Sequence, residues 1–170
     1  MINVVQKLAN TYKQIRQIRG DGNCFYRCFT FALLQHVSLA SKQERERIYN
    51  IVEQSKDKLV KLGFPEFGIE FFYDSLVEIF KFVAIDNTSS TADVSLKQIE
   101  QTLNEFGTTD SCITQMRFIC SGHMRTNSAE YLPCITSAPS VELYCRQQTE
   151  VFGFEAEDIH IAALCKEFSV

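Results

Sequence analysis

The sequence predicts a helix-rich fold with few strands. Three observations carry this. Apolar residues recur at helical spacing through several long segments, Ser, Thr and Asp stand where caps would open those segments, and glycines stand where they would close. Only Ser169-Val170, at the last two positions, reads as the start of a strand.

In chain order, residues 2–15 read as a short polar helix with Val4, Val5 and Leu8 as its packing face. Tyr12, Ile15 and Ile18 then lead into Gly20-Asp21-Gly22-Asn23, four residues that tolerate tight or left-handed backbone and so mark a sharp turn. The composition switches at Cys24. Phe25, Cys28, Phe29, Phe31, Ala32, Leu33 and Leu34 follow without Gly or Pro, which predicts a buried helix from Cys24 to about Leu39. Ser41 and Glu44 form a capping-box pattern for one long helix through Ile48, Ile51, Val52, Leu59 and Leu62, stopped by Gly63. After Phe64-Pro65, Ile69 to Val83 reads as a helix rich in aromatics.

Ile85 to Ser95 is full of turn formers and reads as a loop. Ser95 with Gln98 would open a helix closing at Gly107, and Thr108-Thr109-Asp110 would cap the next, Cys112 to Met124. Asn127 to Ser140 looks irregular around Pro133 and Pro139. Ser140 would cap a short helix through Gln148, and Asp158 to Phe168 a last one. There is no internal repeat, low-complexity segment or linker, so residues 1–170 read as one domain.

Composition narrows the function classes. A hydrophobic fraction of 45% and a charged fraction of 22% are those of a globular protein. No apolar run approaches the ~20 residues that span a bilayer, and the first residues lack the layout of a signal peptide. The seven cysteines are odd in number and irregularly spaced, which suits reduced thiols and a cytoplasmic protein better than a disulfide framework. Cys112, Cys120 and His123 fall close together but lack the paired knuckles of a structural zinc site, so neither a metal nor another cofactor is expected. Up to Lys61 the chain carries eleven Lys/Arg and five Asp/Glu (+6); beyond it, six and sixteen (−10). The acidic second part argues against nucleic acid as partner; on charge alone it reads first as a solvated acidic surface, and it would also suit a basic protein ligand. Nothing points to a membrane.

Cys24 is the candidate nucleophile. A helix N-terminus carries partial positive charge and unpaired N–H groups, and both favour a thiolate over a thiol. The same N–H groups can hold an oxyanion during acyl transfer. The two glycines of the turn would let a substrate backbone approach closely.

Asp21-Gly22-Asn23-Cys24-Phe25-Tyr26-Arg27 resembles the nucleophile motif of OTU-type cysteine proteases, and specifically of the otubains. Tyr12 to Arg19, Ser55-Lys56-Asp57-Lys58-Leu59 to Gly63-Phe64, and Asp158-Ile159-His160-Ile161-Ala162-Ala163-Leu164 resemble otubain sequence in the same order, so the likeness covers nearly the whole chain. It implies an α+β, helix-rich OTU fold, with further strands after Val170, so that residues 1–170 would be a single otubain-like domain incomplete at its C-terminus; a helical layer without its sheet would leave a face uncovered. It also implies a deubiquitinase: a thiol protease whose Cys24 attacks the carbonyl after ubiquitin's terminal glycine, forms an acyl-enzyme and is released by water. Asp21 carries over as the second active-site residue, shaping the turn and supporting the oxyanion site; read from the residues alone, it is equally an Asx-turn former. Gly22 and the Cys24 N–H are the candidate oxyanion contacts.

The catalytic base has no counterpart here. A Cys nucleophile works with a His, and the resemblance places that His on the strands beyond Val170. Of the three histidines in the chain, His36 lies twelve residues past Cys24, ~18 Å along the same helix. His123 matches a structural position, and His160 reads as a packing or capping residue. The implied partners are ubiquitin or polyubiquitin and a ubiquitin-conjugating enzyme. The alternative function is a catalytically silent module that binds these without cleaving.

Overall fold

A central rod organises the molecule. In the computed structural model, which describes residues 2–12, 15–86, 92–104 and 107–170 (side chains 2–5, 7 and 92–96 excepted), α7 spans Thr108–Thr126. Gly107, at φ +95°, turns the chain into it, Asp110 lies in its first turn, and His123 and Arg125 lie in its last, matching the helix dipole. Its buried residues, from Thr109 to Met124, point in nearly every direction around the axis, so it is covered on most sides. Helices α2 (Cys24–Leu39), α4 (Ser55–Lys61), α5 (Glu66–Lys81), α6 (Ala92–Asn104), α9 (Val141–Tyr144) and α10 (Asp158–Phe168) all contact it. α3 (Lys42–Glu53) packs on α2 and α5.

The main core joins Tyr26, Leu34 and Val37 of α2 to Ile48 and Val52 of α3, Leu76 and Phe80 of α5, Met116 and Cys120 of α7, and Leu164 and Phe168 of α10. A smaller cluster of Leu59, Phe64 and Ile69 lies under α4 and the start of α5. Among the described residues no helix is long and apolar enough to cross a membrane.

The Cys24 and Asp158 helices have the bounds the sequence predicts. Ser140 also caps as expected: its Oγ accepts from the Leu143 N–H at 3.2 Å, and α9 runs on through a π turn to Thr149.

Elsewhere the structure differs. α1 (Ile2–Thr11) stops short of residue 15, Leu8 is exposed, and the Val4 and Val5 side chains are outside the description. The expected single helix from 41 to 62 is broken at Gln54. The break lets Ser55 turn inward, where its Oγ accepts from Gln115 Nε2 at 3.1 Å, and drops Leu59 onto the second cluster. The capping box there is half formed: Ser41 Oγ accepts from the Glu44 N–H, but the Glu44 carboxylate is held by Arg47. Gly63, at φ +87°, does stop α4, with the Phe64 N–H reaching back to Leu59 O.

On α2, Tyr26, Arg27, Thr30, Leu33, Leu34 and Val37 form the buried face; Cys28 and Ala32 are exposed, and Phe25, Phe29 and Phe31 are half-buried. α6 begins at Ala92, so Ser95 lies inside it, and the centre of the expected loop, 87–91, is outside the described residues. The stretch from Asn127 holds α8 (Ser128–Tyr131) and a 3-10 turn at Leu132–Cys134.

The expected strand start is absent. Ser169 takes left-handed backbone (φ +53°) and closes α10, its N–H bonding Lys166 O and the Val170 N–H bonding Cys165 O. Among the described residues there is no strand, so they do not confirm the α+β class.

Candidate active site

The turn before α2 is built by its own side chains and then clamped from outside. Asp21 Oδ1 accepts from the Asn23 N–H at 3.1 Å, an Asx turn. Its Oδ2 accepts from Arg27 Nη2 at 2.6 Å, one turn along α2. The Arg27 guanidinium holds the Asp21 carboxyl below the usual carboxylate range. Arg27 Nη2 also donates to Asp110 Oδ1 at 2.9 Å, tying the turn to the start of α7.

Asn23 occupies the N-cap position but does not cap. Its Oδ1 instead accepts from Arg117 Nε at 3.1 Å, Arg117 Nη2 at 2.7 Å and the Gly153 N–H at 2.9 Å. The first N–H groups of α2 therefore receive no cap from it, which suits a role in holding a developing negative charge.

Gly22 has a structural reason the sequence did not show. It sits at φ +75°, and a Cβ there would lie 1.7 Å from the Gly153 carbonyl oxygen. The close approach is thus made by the chain's own 150–156 segment, not reserved for substrate as expected. Gly20 has nothing within 4 Å and carries no such constraint.

Arg117 is the fastener. It is 1% exposed. Its guanidinium donates to Gly22 O (3.1 Å), Thr149 O (3.1 Å) and Phe154 O (2.6 Å) besides Asn23, and lies over the Tyr26 ring at 4.1 Å. Burial lowers its pKa from the ordinary arginine value. This one side chain joins the nucleophile turn, α2, the end of the π turn after α9 and the 150–156 segment.

Cys24 itself is exposed at the N-terminus of α2. The buried thiols are different. Burial pushes Cys112 up to about 12 and raises Cys120 and Cys145 as well. Cys112, Cys120 and His123 face separate partners: Ser75 O, His160 O and the Glu167 carboxylate.

Asp21, Gly22 and Cys24 thus share one turn, and none of the three histidines joins them. His36 is exposed and pairs with Glu44 at 3.4 Å. His123 Nδ1 lies 2.7 Å from Glu167 Oε2. His160 is 1% exposed and stacks on Tyr144. Its Nδ1 accepts from the Glu157 N–H at 2.8 Å, so its proton is on Nε2 and donates to Thr149 Oγ1 at 3.0 Å. With Glu157 it completes the capping box of α10.

That geometry requires a neutral ring, and burial lowers the His160 pKa from 6.5 to about 4. The unfolded chain takes up this proton near 6.5 and the folded one only near 4, so stability is full above pH 6.5 and falls as pH drops toward 4. The expected loss between pH 7 and pH 5 is about 2 kcal/mol from this group. Urea unfolding at the two pH values, on wild type and His160→Gln, checks it: the variant should lack that share of the pH dependence.

Sequence reasoning missed Arg117, Gly153, Arg27 as a clamp, and Asn23 as more than a turn former. One signal for Arg117 was present. Ile113, Cys120 and Met124 stand four before, three after and seven after it, which places a lone guanidinium on the apolar stripe of a helix. Nothing local marks Gly153 as the partner of Gly22, 131 positions away.

A family profile, Peptidase C65 Otubain, matches residues 1–170. The chain belongs to the otubain family. It is 31% identical over 166 residues to "Ubiquitin thioesterase OTUB1" of Homo sapiens, covering 98% of this chain and 58% of that protein. It is 30% identical over 173 residues to the "OVARIAN TUMOR DOMAIN-containing deubiquitinating enzyme 1" of Arabidopsis thaliana, covering 100% of this chain and 56% of that one. Among solved structures, one of h/ceOTUB1 with ubiquitin aldehyde and UBC13~Ub superposes with a TM-score of 0.77 at 28% identity, over 90% of this chain and 57% of the otubain chain. The chain therefore spans less than two thirds of the length of these otubains.

Proposed function

We propose that this otubain is a deubiquitinating thiol protease that cleaves ubiquitin isopeptide bonds through an acyl-enzyme on Cys24. The observation that carries the reading is an exposed thiol at an uncapped helix N-terminus, on a turn immobilised by Asp21, Asn23 and Arg117. In this mechanism the Cys24 sulfur attacks the carbonyl after ubiquitin's terminal glycine. The oxyanion is held by the N–H groups at Gly22 and Cys24, the lysine amine leaves, and water hydrolyses the thioester. Asp21 acts through the turn and Arg27. The general base would come from residues outside this span. The names of the relatives and of the superposed complex support ubiquitin as substrate and a ubiquitin-conjugating enzyme as partner. Exposed Glu155, Glu157 and Asp158, at the end of the segment that crosses Gly22 and just beyond it, suit a basic substrate tail. A cytoplasmic location, and residues 1–170 as part of one OTU domain, belong to the same proposal.

One observation favours the second reading, a binding module without turnover: all three histidines are engaged away from Cys24. A ubiquitin probe with a thiol-reactive C-terminus separates the two. The expected result is one adduct, mapped by mass spectrometry to Cys24 and lost in Cys24→Ser. An adduct on exposed Cys28 or Cys134 instead, or binding without any adduct, would leave the module reading.

A further inference from the structure

Two exposed thiols stand one turn apart on α2: Cys24 at its first position and Cys28 four residues on. Residues at this spacing lie on one face of a helix, with Cβ atoms about 5–6 Å from each other. The Cα–Cβ bonds of a helix tilt toward its N-terminus, so the Cys28 side chain leans toward the turn that carries Cys24. The two sulfurs sense each other. Burial first and the neighbouring Cys24 second raise the Cys28 thiol, and Arg16 pulls the other way.

The spacing decides what can join them. A disulfide places its Cβ atoms about 3.5–4.5 Å apart, closer than a helical turn sets them. A single soft ion between the sulfurs spans the wider gap. Structural zinc and iron–sulfur centres take four protein ligands, and no third donor is at hand. The next residue along the line is Ala32, and the Asp21 carboxylate is taken by Arg27 and the Asn23 N–H. Among the described residues no three His, Cys, Asp or Glu side chains cluster to hold a metal. Thiolates are soft ligands that select Cu(I), an ion that accepts two sulfurs in a line. Two thiolates and one monovalent cation leave a single negative charge, and the positive end of the α2 dipole favours it.

We propose that Cys24 and Cys28 form a two-coordinate site for Cu(I). Each thiol gives up its proton as its sulfur binds, so two protons leave for each ion taken up, and no electron is exchanged. The ion ties up the Cys24 sulfur. On the reading of Cys24 as nucleophile, on which this consequence rests, the loaded protein is silent until a competing thiol removes the metal.

The test titrates the 170-residue protein, anaerobic and reduced, against the coloured Cu(I) complex of bicinchoninate. The expected result is one ion withdrawn per chain. Cys24→Ser and Cys28→Ser should each lower the affinity at least tenfold, while Cys134→Ser, at another exposed thiol, should leave it unchanged. Cys28→Ser changes an exposed position and should keep the melting temperature. One equivalent of Cu(I) should block labelling of Cys24 by the ubiquitin probe in the wild type and not in Cys28→Ser. No withdrawal of the ion, or undiminished affinity in Cys28→Ser, would overturn the site. An ion bound through both cysteines by a protein that the probe never labels would uphold the site and count only against the nucleophile reading.

Discussion

Gly22→Ala is expected to lower stability by about 3 kcal/mol, since a strained left-handed residue and a backbone clash both contribute. The new Cβ would sit 1.7 Å from Gly153 O and 2.5 Å from its carbonyl carbon, and backbone cannot rotate aside as a side chain can. Either the nucleophile turn or the 150–156 segment must move. If the turn moves, Asn23 leaves Arg117 and Cys24 leaves its place at the helix start. Labelling of Cys24 by the ubiquitin probe should then slow at least tenfold. Gly20→Ala is the internal control: with open space around it and no left-handed backbone to strain, it should shift stability by less than about 0.5 kcal/mol. Equal unfolding midpoints for the two variants would refute the packing account of Gly22.

Arg117→Met should cost about 3–5 kcal/mol, because it strips donors from several buried acceptors at once. Gly22 O, Thr149 O and Phe154 O each lose their Arg117 bond, and Asn23 Oδ1 keeps only the Gly153 N–H. Met fills part of the volume, so the loss reads mainly the hydrogen bonds. Arg117→Lys keeps a charge but offers one nitrogen where the guanidinium uses three, and should recover less than half of the loss. The coupling is the sharper test. Asn23→Ala and Arg117→Met break the same contact, so their effects on urea unfolding should sum to more than the double variant loses, by about 1–3 kcal/mol. Strict additivity would mean that the two residues stabilise separate parts of the protein.

The local part of this site was legible because its causes are local. The Asx turn at Asp21, the helix start at Cys24 and its end near Leu39 follow from residues within a few positions of one another. The Ser140 cap and the bounds of α10 follow in the same way. The misreadings have a common origin too. Ile51, Val52 and Leu59 keep helical spacing across Gln54, so periodicity alone cannot show that the chain bends there to bury Ser55 against Gln115. Ser169 was read as a strand residue because a serine carries no mark of left-handed backbone.

From its order of residues alone, the chain determined which sulfur stands at a helix start, where the principal helices lie, and that the protein is an otubain, since caps, apolar spacing and an ordered set of motifs are properties of neighbours in sequence. Tertiary structure decided how the sulfur is held. Arg117 meets Asn23 across 94 positions, and Gly153 meets Gly22 across 131, pairings that exist only after α7 and the 150–156 segment have packed against α2. Burial then converts a surface-type residue such as Arg117 into the core of the site, because a guanidinium removed from water must find every acceptor within the fold.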